Sequence, residues 1–251
     1  MEVWSHILRT LNYQGEDDFK LTAEDIKKCK ETWRGPANQF EPRLLCYQTS
    51  SDSRPSIFKE KGVCILPIKN GTYILTKADI YMPLVYDDSH PILINRDASS
   101  VILNIGSSET SVIDNLRYSG VFERDEILGE TITHGPLLNG RHRINLTMTL
   151  NNRPVSIVGV QYETDSCFES RGKILLIEGK SSNKPITSFN IRQLYFPYRE
   201  AKRLAADRKE IISLFIHDFN GIIHIWKYSF SEPEKMDSII LKGHYCFKFS
   251  S

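Results

Sequence analysis

The run KILLIEGKS, residues 173–181, limits the fold more than any other segment. Successive side chains of a strand point to opposite faces. Four apolar residues in a row, 174–177, therefore need cover on both sides, as in the central strand of a layered α/β protein. The flanking sequence supplies the layers. Residues 141–150 (RHRINLTMTL) and 155–165 (VSIVGVQYETD) alternate as strands about the turn at 151–154. Residues 189–206 carry apolar positions at helical spacing, with Pro197 predicting a kink or a break. Residues 210–219 and 222–230 read as a hairpin about Asn220-Gly221. The pattern predicts an α/β core (α+β mixed sheet) over 116–251, with the strand at 173–181 buried in its middle.

Upstream, residues 1–115 read as an N-terminal α+β region with a role in DNA recognition or dimerisation. Residues 21–33 form a short helix with Thr22 as N-cap. A hairpin follows over 63–76, turning at Asn70-Gly71. Residues 83–100 read as loop or linker, 101–105 (VILNI) as a strand, and 122–132 as a helix.

The 251 residues carry 32 Lys+Arg against 31 Asp+Glu, for a formal net charge of +1. That balance conceals an asymmetry: residues 1–130 hold 15 basic and 20 acidic side chains, and residues 131–251 hold 17 and 11. The second half thus has the sign that suits a polyanion, although halves of many proteins differ this much. No apolar stretch approaches the ~18 residues that cross a bilayer, and MEVWSHILRT lacks the pattern of a secretory signal. Five widely spaced cysteines with no CxxC argue against a disulfide framework and against a cysteine-zinc site. A reducing cytoplasm is the expected compartment.

The chemistry concentrates at Glu178-Gly179-Lys180. Glu178 and Lys180 share one face of the buried strand's end. If strands 155–165 and 173–181 are neighbours joined by a turn at 166–172, Asp165 meets them there. Two carboxylates are hard ligands for Mg²⁺, and an adjacent ammonium can stabilise charge on a phosphate under attack. The bare pattern [DE]xK occurs five times in the chain. Only Glu178-x-Lys180 ends a strand buried on both faces and follows an acid at a preceding strand end. A salt bridge at a strand terminus would look the same.

The segments VQYETDSCFES, KILLIEGKSS and FNIRQLYFPYREA together resemble the PD-(D/E)XK nuclease superfamily. They are similar in particular to bacterial type II restriction endonucleases with an E-x-D…E-x-K…RQLYYPYR pattern. The likeness is strongest over 137–227 and weaker upstream. It implies a restriction-endonuclease-like core and a Mg²⁺-dependent enzyme that cuts double-stranded DNA at a short specific site, usually as a homodimer in the bacterial cytoplasm. Asp165 matches the first metal-binding acid, Glu178 the second, Lys180 the catalytic lysine, and the backbone carbonyl of Gly179 a further metal ligand. Two positions depart from the usual pattern: Thr164 stands where a proline is common, and Gly179 where an apolar or small residue is more usual.

Other residues have two readings. Glu163 is an auxiliary metal ligand or base, or a plain surface acid. Gln193 is a candidate near the active centre, paired with Tyr198, which reads better as helix packing. Glu169 falls in the intervening turn as a solvated acid. Arg192, Arg199, Lys202 and Arg203 on the helix, and Arg141 and Arg143 on a strand, are the expected DNA-backbone contacts. His217 and His224 have no metal-ligand spacing to any cysteine and read as structural. Two other functions compete: a structure-specific or repair nuclease with the same chemistry, and a non-catalytic DNA-binding protein.

Overall fold

The computed structural model describes residues 2–36, 39–87, 90–96, 99–100, 108–138 and 140–250. The strand expected at 101–105 lies outside them. The architecture is mixed α+β, built on two large sheets and a two-stranded ribbon.

The first sheet has the order β1-β3-β2-β8-β7, from β1 (Phe19–Thr22), β2 (Cys64–Lys69), β3 (Thr72–Thr76), β7 (Arg141–Leu150) and β8 (Arg153–Glu163). Asn70-Gly71 closes the β2–β3 hairpin, with Gly71 at φ 68° where a side chain would be strained. One face of this sheet carries Leu21, Ile65 and Leu75 into a core shared with α1 (Val3–Thr10), α2 (Ala23–Lys28) and α4 (Ser56–Lys61), through Trp4, Ile26 and Phe58. The short α3 (Pro42–Leu45) lies at its margin. Thr22 caps α2 in a full capping box with Asp25. The helix expected over 21–33 is the six-residue α2 followed by a 3₁₀ turn at Cys29–Thr32.

The second sheet has the order β5-β14-β13-β12-β10-β9-β6. It comprises β5 (Ile92–Ile94), β6 (Ile132–His134), β9 (Ser166–Ser170), β10 (Lys173–Ser181), β12 (Glu210–Phe219), β13 (Ile222–Phe230) and β14 (Ile239–Phe249). β10 runs parallel to β12 and antiparallel to β9. Its apolar run is covered as its pattern requires. Ile174 and Leu176 join Leu194 and Tyr195 of α6 (Arg192–Ala205) in one core, whereas Leu175 and Ile177 join Val112, Ile113 and Leu116 of α5 (Glu109–Tyr118) in another. The ribbon pairs β4 (Tyr81–Pro83) with β11 (Ser188–Asn190), just before α6.

Five expectations need correction. Residues 166–170 are a strand rather than part of a turn, and the hairpin to β10 closes at Arg171-Gly172. The strand at 155–165 is not the neighbour of β10: it ends at Glu163 and belongs to the other sheet. Residues 122–132 hold a 3₁₀ turn and an irregular run with Gly129 at φ 66° rather than a helix, because the chain bends to bury Ile127 and Leu128. α6 does not break at Pro197. Its buried face, from Leu194 to Ala205, carries the helix through the missing backbone donor. The boundary expected at residue 115 falls inside α5.

Candidate active site

The end of β10 is where two sheet neighbours and two helices place polar groups together. β9 pairs Ser166 with Ile177, so the next residue back, Asp165, stands beside Glu178. Asp165 therefore arrives from the bend between two sheets. Its Oδ2 accepts the Gly179 backbone N–H at 2.7 Å. Lys180 Nζ donates to Glu178 Oε1 at 2.8 Å and to the Gly179 carbonyl at 2.7 Å, and lies 3.9 Å from Asp165 Oδ2. One cationic nitrogen thus draws together a carboxylate oxygen from each acid and a backbone carbonyl.

α5 adds an acid from the opposite layer. Glu109 Oε1 lies 3.7 Å from the same ammonium. Helix and strand approach closely because residue 179 is a glycine: a Cβ there would come within 3.2 Å of Ile113 Cδ1 and 3.7 Å of Glu109 Cβ. Sequence reasoning missed Glu109. Its signal was local: Ser108 caps α5 by accepting the Ser111 N–H, ahead of Val112, Ile113 and Leu116. An open cleft lined by Ser108, Glu109, Ser181, Ser182 and Asn183 adjoins the cluster.

The electrostatics follow from depth. Only 9% of the Glu178 side chain is exposed, against 29% for Asp165 and 42% for Glu109. Burial pushes the Glu178 carboxyl up to about 7, against the pull of Lys180. Burial works against the Lys180 ammonium too, but Glu178, Asp165 and Glu109 outweigh it and hold its pKa above the ordinary lysine value. Lys180 is therefore charged at any physiological pH.

Gln193, at the start of α6, donates from Nε2 to Glu178 Oε1 in a short contact, while its Oε1 is buried with no partner among the described residues. Arg192 is within electrostatic reach of Glu178, Tyr47, Tyr73 and Tyr81. Burial is the main cause of its lowered pKa, and its Nε has no hydrogen-bond partner among the described residues. Tyr47 was not foreseen either; it is 60% exposed and within electrostatic reach of Glu178 and Lys180. The segment after it is tied to the approach to α6. Asn190 donates from its backbone N–H to Thr49 O at 2.8 Å and from Nδ2 to Gln48 O at 3.1 Å.

The remaining candidates stand apart from this cluster. Glu163 pairs with Arg141 at 2.7 Å on the surface. It ends β8, so it does not share a strand face with Asp165. Arg143 is exposed on the same face of β7 as Arg141. Arg199 is a correction: it bonds Tyr195 Oη at 2.9 Å and Glu234 at 2.6 Å with 14% of its side chain exposed, which makes it a brace for α6 rather than a free backbone contact. Lys202 pairs with Asp207, and Arg203 forms a two-pronged bond to Glu200. Tyr198 packs on Phe230 with ring centres 4.6 Å apart. Glu169 lies in β9 and pairs with Lys209 at 2.6 Å. His217 is fully buried between Tyr86 Oη at 2.8 Å and Ser182 Oγ at 2.9 Å. Burial, more than its charged neighbours, drives its pKa down to about 4. His224, read as structural because it has no metal-ligand spacing to any cysteine along the chain, lies directly across from Cys246.

The donor set suits a hard divalent cation. Glu178 Oε1, Gly179 O and Asp165 Oδ2 already converge on a positive charge, and all three are oxygens. No helix among the described residues is long and apolar enough to cross a membrane. Residues 76–248 match the family described as Domain of unknown function (DUF6997), and residues 1–75 match a second, Domain of unknown function (DUF6996). No curated protein and no solved structure matches the chain.

Proposed function

We propose that this chain, which belongs to the DUF6997 family, is a Mg²⁺-dependent endonuclease with a PD-(D/E)XK-type centre that hydrolyses phosphodiester bonds of double-stranded DNA at a specific site, acting as a homodimer. The observation that carries the reading is the gathering of Asp165, Glu178 and the Gly179 carbonyl around the Lys180 ammonium at a strand end that adjoins an open cleft. The metal would be held by Asp165, Glu178 and the Gly179 carbonyl, with Glu109 within reach from α5. When bound, it supplies a water of lowered pKa and neutralises charge on the phosphate.

The chain's own residues do the rest. Lys180, kept charged by three carboxylates, stabilises the negative charge that grows on the phosphoryl oxygens. Gln193 fixes the rotamer of Glu178 through its amide N–H. Arg192, with no acid bound to its guanidinium among the described residues, supplies a phosphate contact beside the centre. The exposed Arg143 supplies a backbone contact further along the duplex. Nothing in DNA binding alone calls for a buried acid beside a charged lysine, which favours catalysis over a purely binding role.

The test is incubation of plasmid and linear duplex DNA with the full chain, with and without Mg²⁺, followed by sequencing of the ends. Discrete fragments with defined termini are expected only with the metal. D165A, E178A and K180A should each lower the rate by at least ~10³, given the several kcal/mol that such charge stabilisation contributes. Undiminished cutting by all three would sink the proposal. Cutting confined to flaps or junctions would move it to a structure-directed nuclease.

A further inference from the structure

Further along the second sheet, in the cross-strand row that runs from Lys180 through His217, β13 and β14 bring His224, His244 and Cys246 together. Register pairs His224 with Cys246 and Trp226 with His244 across the ladder. His244 and Cys246 stand two apart on β14, and His224 joins them only across the ladder, which chain spacing does not show.

We infer that these three side chains form a zinc site: His224 Nδ1, His244 Nε2 and Cys246 Sγ bind one Zn²⁺ that clamps β14 to β13. His224 Nδ1 and His244 Nε2 lie 3.2 Å apart, and Cys246 Sγ lies 3.4 Å from the first and 3.7 Å from the second. A tetrahedral ion with Zn–N near ~2.0–2.1 Å and Zn–S near ~2.3 Å places its ligands roughly 3.3 Å apart for N and N, and roughly 3.6 Å for N and S. The triangle in the structure has the size of one face of that tetrahedron.

Cys246 Sγ donates to Asp87 O at 2.7 Å. With that proton shed and the imidazoles neutral, each of the three atoms can offer a lone pair to a cation.

The rings are held rather than loose. His244 stacks on Trp226 with ring centres 4.7 Å apart and planes 10° apart, and His224 lies edge to edge with His244, ring centres 5.4 Å and planes 9° apart. Tyr86 packs edge-on against His224 at 4.8 Å. Trp226 Nε1 donates to Val85 O at 3.1 Å, which fixes the segment that also carries Asp87. His224 and Cys246 are buried and His244 is half-buried, so an ion would enter from the His244 side. The fourth position is left to a water.

Two imidazoles and a thiolate select a borderline-soft ion and give Mg²⁺ nothing it prefers. The site is thus distinct in chemistry from the oxygen cluster at β10 and stands independently of the nuclease reading. On binding, the Cys246 thiol loses its proton to solvent, its hydrogen bond to Asp87 O is lost, and a sulfur–zinc bond forms. Uptake therefore releases acid.

The experiment loads the full chain with Zn²⁺, removes the excess by gel filtration and measures metal per chain. The same chain is then loaded with Co²⁺ for its absorption spectrum. The wild type and D165N/E178Q should each retain one zinc and show a thiolate-to-cobalt charge-transfer band. C246S and H244Q should lose the zinc, and C246S the band. Chelation should lower the wild-type Tm towards that of H244Q. A wild-type cobalt spectrum without the thiolate band overturns the inference whether or not any variant folds. So does zinc retained in both C246S and H244Q, or a site that takes Cu²⁺ and refuses Zn²⁺.

Discussion

Glu178 is held against its own solvation. Burial raises its pKa from an ordinary 4.5 to about 7, so between those values the native chain binds a proton that the unfolded chain has released. Stability must then fall as pH rises through that window, because the unfolded state binds fewer protons there. Replacing the acid by its neutral isostere removes the penalty. In EDTA, the Tm of E178Q relative to wild type should therefore climb by several degrees from pH 5 to pH 8; a flat difference would show that Glu178 titrates as a surface acid does. Lys180 occupies the oxygens proposed for the metal, so removing its charge should ease metal entry. K180M is expected to bind Mn²⁺ at least as tightly as wild type by calorimetry while cleavage is lost. The convergence of residues 165, 178 and 180 was legible because an acid-x-lysine pair at the end of a doubly buried strand is rare in the chain. Glu109 and Tyr47 were not, because each reaches its partners from another element and leaves no spacing in the sequence; nor was the meeting of His224 with the His244-x-Cys246 pair, which happens across the β13–β14 ladder.

Elements fail to be legible for a different reason. β9 (SCFES) buries Ser166 and Ser170, so its burial contradicts its polarity and it reads as a turn. α5 is polar apart from Val112, Ile113 and Leu116, too few for a periodic pattern to stand out. Yet α5 sets the site, since Gly179 lets it approach β10. G179V should collide with Ile113, displace Glu109 and lower the Tm. Adding I113A should recover much of the loss, a coupling that a double-mutant cycle would read at ~1 kcal/mol or more. The basic side chains divide the same way. R199A should cost ~2 kcal/mol of stability by urea melts, because Tyr195 Oη and Glu234 lose a buried charged partner, with no change in the salt dependence of DNA binding. R143A should leave stability alone and reduce that salt slope by ~1.

At the scale of the molecule, the two matched segments meet at 75/76, the last two residues of β3, but the packing does not divide there. The first sheet is shared: β2 pairs with β8, which comes from the second segment. One face of β2 and β3 covers the core that 1–75 builds for itself. The other turns Cys64, Leu66 and Ile74 into the same core as Leu176 of β10 and Phe215 of β12. Residues 48–51 are bonded to Ser188 and Asn190 immediately before α6, so the N-terminal segment also fixes the entry of the helix that carries Arg192 and Gln193. This unity escaped the sequence, where residues 1–115 read as an appended region, because parallel pairing between distant strands leaves no local mark. Residues 76–251 alone would lack the three apolar side chains with which β2 and β3 close the inner core and would leave the edge of β8 bare, each large buried side chain contributing ~1.5–3 kcal/mol when covered. The total is comparable with the whole stability of a typical domain. That fragment should show no cooperative thermal transition and should bind a hydrophobic dye, and adding residues 1–75 in trans should restore a sharp near-ultraviolet circular dichroism signal; a fragment that melts cooperatively by itself would mean that the β2–β8 contact is an interface between independent domains.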